Sequence, residues 1–328
     1  MRAHVCSPRS RLALVVGLGV ALLLAGKGFA GDDKKGRDIY DYEAQKAAKG
    51  VKKIVFVADT APHGGRGNHE FLAAAIYLAR TINERCPDTY AVVHTMAKWP
   101  KDLKHADSVI VLLNHGRTAV NPAVKEAMAR GAGFAAIHYG VEVSKGEQGQ
   151  SYLKWLGGYF EAEWSVNPFW TPSFKDIPTH EITRGVKPFS INDEWYYHMR
   201  FVEGMKGVTP LLSAVAPPET ITKRWKEGQK PSSHAGNPAA LAAVVAGKPQ
   251  VVAWAYERPD GGRGFGFTGL HKHSNLGDDN FRTLLLNAVA WVSRVPVPAN
   301  GIASTPLNRG DLEQLIDDGK LAVKRRGI

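Results

Sequence analysis

Histidines recur at the ends of the short apolar runs in this sequence. Each of four such runs is followed by an imidazole within ten residues. In open, mostly parallel α/β sheets, ligands bind beyond the carboxyl ends of the strands, and those ends share one edge. We therefore expect one site at that edge to collect His69, His115, His138, His271 and His273.

Two adjacent acids stand beside aromatic residues in the run Asn192 to Tyr197. On a strand, successive side chains point to opposite faces, so only one of Asp193 and Glu194 is expected to face a given pocket. An acid packed against Trp195 would suit a general acid with a raised pKa, or a group that hydrogen-bonds a sugar. A solvating acid on an edge strand is the alternative that the pattern leaves open.

The residue types suggest a division of roles within this predicted site. Imidazoles and carboxylates are the side chains most often used for general acid-base catalysis. We assign the acid-base roles to His138, His271, His273 and Glu194. Substrate binding is assigned to their neighbours, which are His69, Glu70, His115, Tyr139, Asp193 and Trp195.

A divalent metal is a further alternative at the same site. His271 and His273 are spaced i, i+2, which on a strand places both on one face. Two histidines are too few for a metal site, and Glu70 or His138 would complete a set. The glycine-rich stretches 64–67 and 261–264 lack the spacing of a dinucleotide-binding or phosphate-binding loop.

The apolar pattern alternates between buried strands and amphipathic helices, which predicts a flavodoxin-like, doubly wound α/β domain. Its mostly parallel sheet would carry helices on both faces. The predicted strands are 53–59, 90–95, 108–113, 133–138, 189–197, 211–215, 250–256 and 264–270. The predicted helices are 70–85, 122–130 and 281–292. Between Gly140 and Pro188 the pattern loosens, which indicates a loop-rich aromatic insertion that caps the site.

The two ends of the chain differ from this domain. Residues 1–30 combine arginines, an apolar run and small residues, as in a secretory signal peptide cleaved before Gly31. We expect a polar linker at 31–50, the main domain at 51–295, and a tail at 296–328 with a helical turn or two. Cleavage would leave the product periplasmic or secreted. An uncleaved anchor is the alternative, but the apolar run is shorter than the ~20 residues that span a bilayer.

The net charge and the number of cysteines further limit the class of protein and the partners that we expect. The formal charge of +11 falls to +7 when the four cationic residues of segment 1–30 are subtracted. The basic residues form no stripe interleaved with aromatic residues, so we expect no nucleic-acid partner. We also expect that the mature protein is not an integral membrane protein. Its oligomeric state is left open. Cys86 is the only cysteine after residue 30, which excludes an intramolecular disulfide in the mature chain.

Several of these stretches resemble the trehalose-utilisation (ThuA-like) family, over roughly residues 52 to 293. They are KIVFVAD with the later HEF, GFAAIHYG, ITRGVKPFSINDEWYY, GRGFGFTGLHKH and FRTLLLNAVAWV. The resemblance implies a class I glutamine-amidotransferase-like fold and a link to disaccharide metabolism. In amidotransferases the nucleophilic cysteine sits at the tight turn after a central strand. Here His138 or Tyr139 occupies that turn, so cysteine-dependent amide transfer is not expected.

Together, these observations predict an exported enzyme of carbohydrate metabolism. Its substrate would be a sugar or an oxidised disaccharide such as a keto-glycoside, the saccharide class coming from the resemblance alone. The chemistry would be general acid-base catalysis, with metal assistance left open, of the hydrolase, lyase or isomerase type. A non-catalytic carbohydrate-binding or scaffolding protein on the same fold is the alternative.

Overall fold

A seven-stranded sheet forms the centre of the protein. The computed structural model describes residues 39–40, 50–96, 99–223 and 225–326, so the predicted signal peptide at 1–30 lies outside the described residues. With strands numbered in chain order, the sheet contains β1 (Lys52–Ala58), β2 (Thr89–Thr95), β3 (Ser108–Leu112), β4 (Gly133–Ile137), β11 (Val208–Val215), β12 (Pro249–Glu257) and β13 (Arg263–Phe267). Their spatial order is β11-β12-β13-β4-β3-β1-β2.

The sheet is mostly parallel, as predicted. Five neighbouring strands run parallel to one another, in the order β2, β1, β3, β4 and β13. Beyond β13, strand β12 pairs antiparallel with β13, and β11 pairs antiparallel with β12. Both faces are buried: in β1, Ile54 and Phe56 join one apolar cluster, and Val55 and Val57 join another. Burying each such side chain contributes about 1.5–3 kcal/mol, which explains the nearly continuous apolar run.

Helices cover both faces of the sheet, which confirms the predicted fold class. On one face lie α1 (Phe71–Arg85), α6 (Asp279–Val292) and α7 (Arg309–Arg326). The other carries α2 (Pro122–Ala129) and α3 (Glu147–Leu156). Two further helices are α4 (Glu219–Thr222) and α5 (Pro238–Val245). No helix in the described part of the chain is long and apolar enough to cross a membrane.

The insertion after β4 contains more regular structure than the sequence predicted. Besides α3 it includes β5 (Gly158–Tyr159), β6 (Phe169–Trp170) and β7 (Ser173–Phe174). The partners of these short strands are β10 (Arg200–Phe201), β9 (Asp193–Glu194) and β8 (Phe189–Ser190), respectively. Most of the insertion's aromatic rings are buried in the core. Phe169, which is 44% exposed, is the exception among the large apolar residues of this segment.

The prediction of one strand over residues 189–197 is wrong. The segment is divided between β8 and β9, which belong to separate two-stranded pairs. All five side chains from Asp193 to Tyr197 are buried, whereas a half-buried strand would alternate between core and solvent. The alternation of side chains expected for a strand therefore does not describe this segment, and the direction of each side chain has to be read from its own contacts.

The predicted linker at 31–50 and the predicted tail at 296–328 both contact the main domain through residues that the structure describes. In α7, Leu312, Leu315 and Ile316 are buried in the same apolar cluster as α1 and α6. The predicted tail of one or two helical turns is thus an 18-residue helix that adds to the core. Within the predicted linker, Ile39 is buried and its carbonyl accepts a hydrogen bond from Val93 N at 2.7 Å.

Candidate functional site

His138 occupies the turn that directly follows the central strand β4. Its backbone φ is +52°, an unusual value for a residue that is not glycine. The ring is fully buried, and Nδ1 donates a hydrogen bond to the carbonyl of Thr268 at 2.7 Å. Because a carbonyl oxygen only accepts, Nδ1 carries a hydrogen, and Nε2 is the atom left to face the site.

His69 reaches the same place from the loop after β1. Its φ is +51°, and its backbone N–H donates to the carbonyl of His271 at 2.8 Å, which ties the β1 loop to the β13 loop. The ring Nδ1 donates to the carbonyl of His63. His69 Nε2 lies 3.1 Å from His138 Nε2.

Glu194 and His271 complete the group. The Oε2 atom of Glu194 lies 2.8 Å from His271 Nδ1 and 3.5 Å from His138 Nε2. Its other oxygen accepts a hydrogen bond from the Asn167 amide at 3.1 Å. One potential ligand atom from each of His69, His138, Glu194 and His271 lies within 4.8 Å of the other three. We call these four residues the His/Glu cluster.

The electrostatics of the His/Glu cluster favour an ionised Glu194 beside a neutral His69. Burial raises the pKa of Glu194, but hydrogen bonds and charge interactions with His138 and His271 outweigh it and lower the pKa to about 2. This is the opposite of the raised pKa predicted from the aromatic neighbours. Burial, reinforced by the neighbouring His138, lowers the pKa of His69 to about 3. His69 is thus a weak base but a suitable metal ligand.

Aromatic residues border the His/Glu cluster. The hydroxyl of the buried Tyr196 lies 3.1 Å from His138 Nε2, and burial raises its pKa well above 10, so it stays protonated. The exposed ring of Phe169 packs edge-on against His271, with 4.7 Å between centroids. Tyr139 is partly buried, and its ring centroid lies 6.3 Å from that of His69.

Glu142 is a candidate functional residue that the sequence analysis missed. It follows the short 3-10 helix that begins at His138, and its carbonyl accepts from Gly116 N at 2.6 Å. Burial raises the pKa of its carboxyl group to about 7; Arg117 opposes this shift and Glu194 adds to it. Such a pKa suits proton transfer at neutral pH.

His273 does not join the His/Glu cluster, contrary to the prediction. Strand β13 ends at Phe267, and His273 begins a 3-10 helix, so strand spacing does not relate it to His271. The buried ring instead contacts α7, with Nε2 lying 3.2 Å from the carbonyl of Leu312. Burial lowers its pKa to about 4.

Asp193 and Trp195 are also placed differently from the prediction. The Asp193 carboxylate is buried and accepts hydrogen bonds from the backbone N–H groups of Glu194, Leu270 and Lys272 and from the Asn275 amide. It therefore fixes the loop that carries His271. Trp195 is fully buried in the core, and its indole donates to Ile191 O at 3.1 Å.

Glu70 and His115 are not among the four residues of the His/Glu cluster. Glu70 Oε1 accepts a hydrogen bond from Gly67 N at 3.0 Å, which closes the loop before α1. His115 follows β3, and its ring centroid is 6.5 Å from that of Tyr139. Burial lowers the pKa of His115, and Arg117 adds to the effect.

Cys86 is remote from these residues. It is buried at the carboxyl end of α1, whose first residue, Phe71, packs against His69 with 5.4 Å between ring centroids. Fifteen helical residues separate the two ends by about 22 Å at 1.5 Å per residue. The turn after β4 thus carries the imidazole of His138, whereas the thiol of Cys86 lies at the other end of α1.

The fold and the site define a class: a doubly wound α/β protein with a mostly parallel sheet and a histidine at the turn after its central strand β4. A family model described as trehalose utilisation, ThuA, matches residues 63–292, and the chain belongs to this family.

Two solved structures were also compared with the chain. A putative ThuA-like protein from Bacteroides uniformis ATCC 8492 is 19% identical, and the alignment covers 75% of this chain and 94% of that chain with a TM-score of 0.48. PurLQS from Thermotoga maritima is 9% identical, with 74% and 98% covered and a TM-score of 0.35. No match was found among curated protein sequences.

Proposed function

We propose that this ThuA-family protein is a carbohydrate-active enzyme that converts a sugar or an oxidised disaccharide, such as a keto-glycoside, by acid-base chemistry. The observation that carries the proposal is the convergence of His69, His138, Glu194 and His271 beyond the carboxyl edge of the sheet. The family's description, trehalose utilisation, supports a disaccharide as the substrate class. The exposed ring of Phe169 offers an apolar surface on which a sugar face can stack.

A ketone in the substrate makes proton transfer the natural reaction. A base removes the proton from the carbon next to the ketone; the electrons of that C–H bond form a C=C bond, and the C=O π electrons move to the ketone oxygen to give an enolate. When the hydroxyl group on the deprotonated carbon then gives its proton to the enolate oxygen, and a proton is returned at the former ketone carbon, the ketone has moved to the neighbouring carbon and the sugar is isomerised. Alternatively, the enolate electrons expel the glycosidic oxygen, which leaves with a proton as an alcohol. Glu142 is our candidate base, and the protonated Tyr196 hydroxyl is a hydrogen-bond donor for the developing negative oxygen.

The Glu142 assignment predicts a specific pH dependence. The carboxylate form is the base, so activity is expected to rise as pH increases through about 7, the pKa of Glu142. Arg117, Glu194, Tyr139 and Tyr196 are the charged or titratable groups coupled to it. Glu142→Gln should lower turnover by about 10²-fold or more and remove this rise. If the pH profile of activity in Glu142→Gln still rises at the same pH, a group other than Glu142 is responsible for the rise.

The central test compares substrates that differ only in oxidation state. Turnover and calorimetric binding are measured in parallel for trehalose, a second disaccharide, and the corresponding keto-disaccharides. Conversion of the keto compounds but not of their parents is the expected result. Binding of either set without conversion would overturn the enzyme proposal and support the non-catalytic carbohydrate-binding or scaffolding alternative.

We propose further that the protein acts in the periplasm or outside the cell. The support is the charged, apolar and small-residue order of segment 1–30. Amino-terminal sequencing of protein from the native host is expected to begin near Gly31. Material that begins at Met1 and stays in the membrane fraction would contradict this proposal.

A further inference from the structure

We propose that the His/Glu cluster binds one divalent transition-metal ion of the Zn²⁺ class. The ligands would be Nε2 of His69, Nε2 of His138, one ring nitrogen of His271 and Oε2 of Glu194. This inference deepens the proposed function, and it rests on that function only for the role of the ion in turnover.

The hydrogen bonds of His69 and His138 provide the first argument. The Nδ1 atom of each ring donates to a backbone carbonyl, of His63 and Thr268 respectively, so Nδ1 carries a hydrogen in both rings. Nε2 is then the nitrogen of each ring that is left to bind a metal ion, and the two Nε2 atoms lie 3.1 Å apart. A ligating histidine typically donates its other N–H to a carbonyl in this way.

The composition of the cluster provides the second argument. Three imidazoles and one carboxylate make up a typical zinc-type donor set, whereas Mg²⁺ and Ca²⁺ prefer oxygen ligands alone. Asn167 holds Oε1 of Glu194, which directs Oε2 toward His138 and His271. The Glu194 carboxylate also brings negative charge to the cluster, which favours a cation there.

Backbone geometry provides a third argument. His69 and His138 both have positive φ values, which for residues other than glycine cost about 1–3 kcal/mol each. Strain of this kind persists where the surroundings enforce it, and it is concentrated at functional sites. Here it directs two rings from different loops to a common point.

A shared proton is the rival explanation for the close approach of the imidazoles. A proton held between two rings requires neither His271 nor the Glu194 carboxylate as a ligand, whereas a metal ion requires all four side chains. The two explanations therefore differ in what an added metal does. A bound ion would also attract the ketone oxygen of a substrate and stabilise enolate charge.

The test uses the full-length mature protein after treatment with a chelator. Titration with Zn²⁺ by calorimetry, and with Co²⁺ by visible absorption, is expected to show one tight site per chain. His138→Asn and Glu194→Gln should each weaken binding by about 100-fold or more. The matched control is His105→Ala, which removes an exposed imidazole and should leave the titration unchanged. Circular dichroism checks that every variant is folded.

Absence of a saturable site in the folded, chelator-treated protein would overturn the metal proposal. An unchanged affinity in both cluster variants would do the same, since the bound metal would then lie elsewhere. These titrations contain no sugar, so their outcome is independent of the substrate test. A protein that binds Zn²⁺ but converts no keto-disaccharide would retain the metal site and lose the proposed activity.

Discussion

Replacing His138 by Asn is expected to lower turnover of the keto-disaccharide by about 10²-fold or more, the size of effect seen when a metal site loses an important side chain. The variant removes a ring that contacts His69, Glu194 and Tyr196 together. Asn is preferred to Ala because position 138 has a φ of +52°, and Asn tolerates the left-handed region better than most residues. The fold should therefore survive the loss of the imidazole.

The measurement is kcat/KM together with the thermal midpoint of unfolding. Cys86→Ser serves as the control, because the thiol lies at the far end of α1, and its turnover is expected to equal that of the unchanged protein. Wild-type turnover in a folded His138→Asn protein would place the active site outside the His/Glu cluster. Loss of turnover in Cys86→Ser without loss of stability would restore a role for the thiol.

Neutral replacement of the adjacent acids Asp193 and Glu194 is expected to distinguish a structural carboxylate from one that belongs to the site. Asp193→Asn should lower the free energy of unfolding by about 3 kcal/mol, because the new amide confronts two of the four donors that the carboxylate now accepts. Glu194→Gln should also lower stability at neutral pH, because the folded protein lowers the pKa of this carboxyl group to about 2 and so favours the charge that Gln lacks. Turnover should fall sharply in Glu194→Gln, since the variant changes a group of the site itself.

Urea unfolding at neutral pH and turnover assays on both variants check this pair of expectations. The informative result is the difference in activity: the folded Asp193→Asn protein should retain more turnover than the folded Glu194→Gln protein, because only Glu194 belongs to the His/Glu cluster. If Asp193→Asn is as stable as the unchanged protein, the Asp193 carboxylate does not support the loop that carries His271. Equal activity in Glu194→Gln would remove this carboxylate from the proposed site.

The sequence predicted the sheet well because its strands are buried on both faces. Runs such as Ile54 to Ala58 have few alternatives to an interior strand, and their parallel ends then place His138 and His271 at one edge. Sequence patterns failed where the local backbone geometry determines which way a side chain points. The position of His273 was predicted wrongly because β13 ends at Phe267, earlier than predicted. The role of Asp193 was predicted wrongly because no pattern shows which of two adjacent acids binds backbone amides.

Glu142 had no sequence signal at all. Its neighbours Val141 and Val143 are apolar, and nothing in the spacing distinguishes its carboxyl group from a surface acid. Its raised pKa comes from burial and from residues distant in the chain, including Arg117 and Glu194. Tertiary packing alone creates such an environment, so a sequence pattern could not have revealed it.

The contacts of α7 affect the order in which parts of the protein can fold during synthesis. The helix contacts the loop that carries His69: Arg66 pairs with Glu313 and Asp317, and His273 joins Gly67 O to Leu312 O. A ribosome makes these residues after all the strands of the sheet. The sheet can therefore assemble while the His69 loop still lacks its outer support. That loop gains its contacts with α7 only after α7 itself has been synthesised.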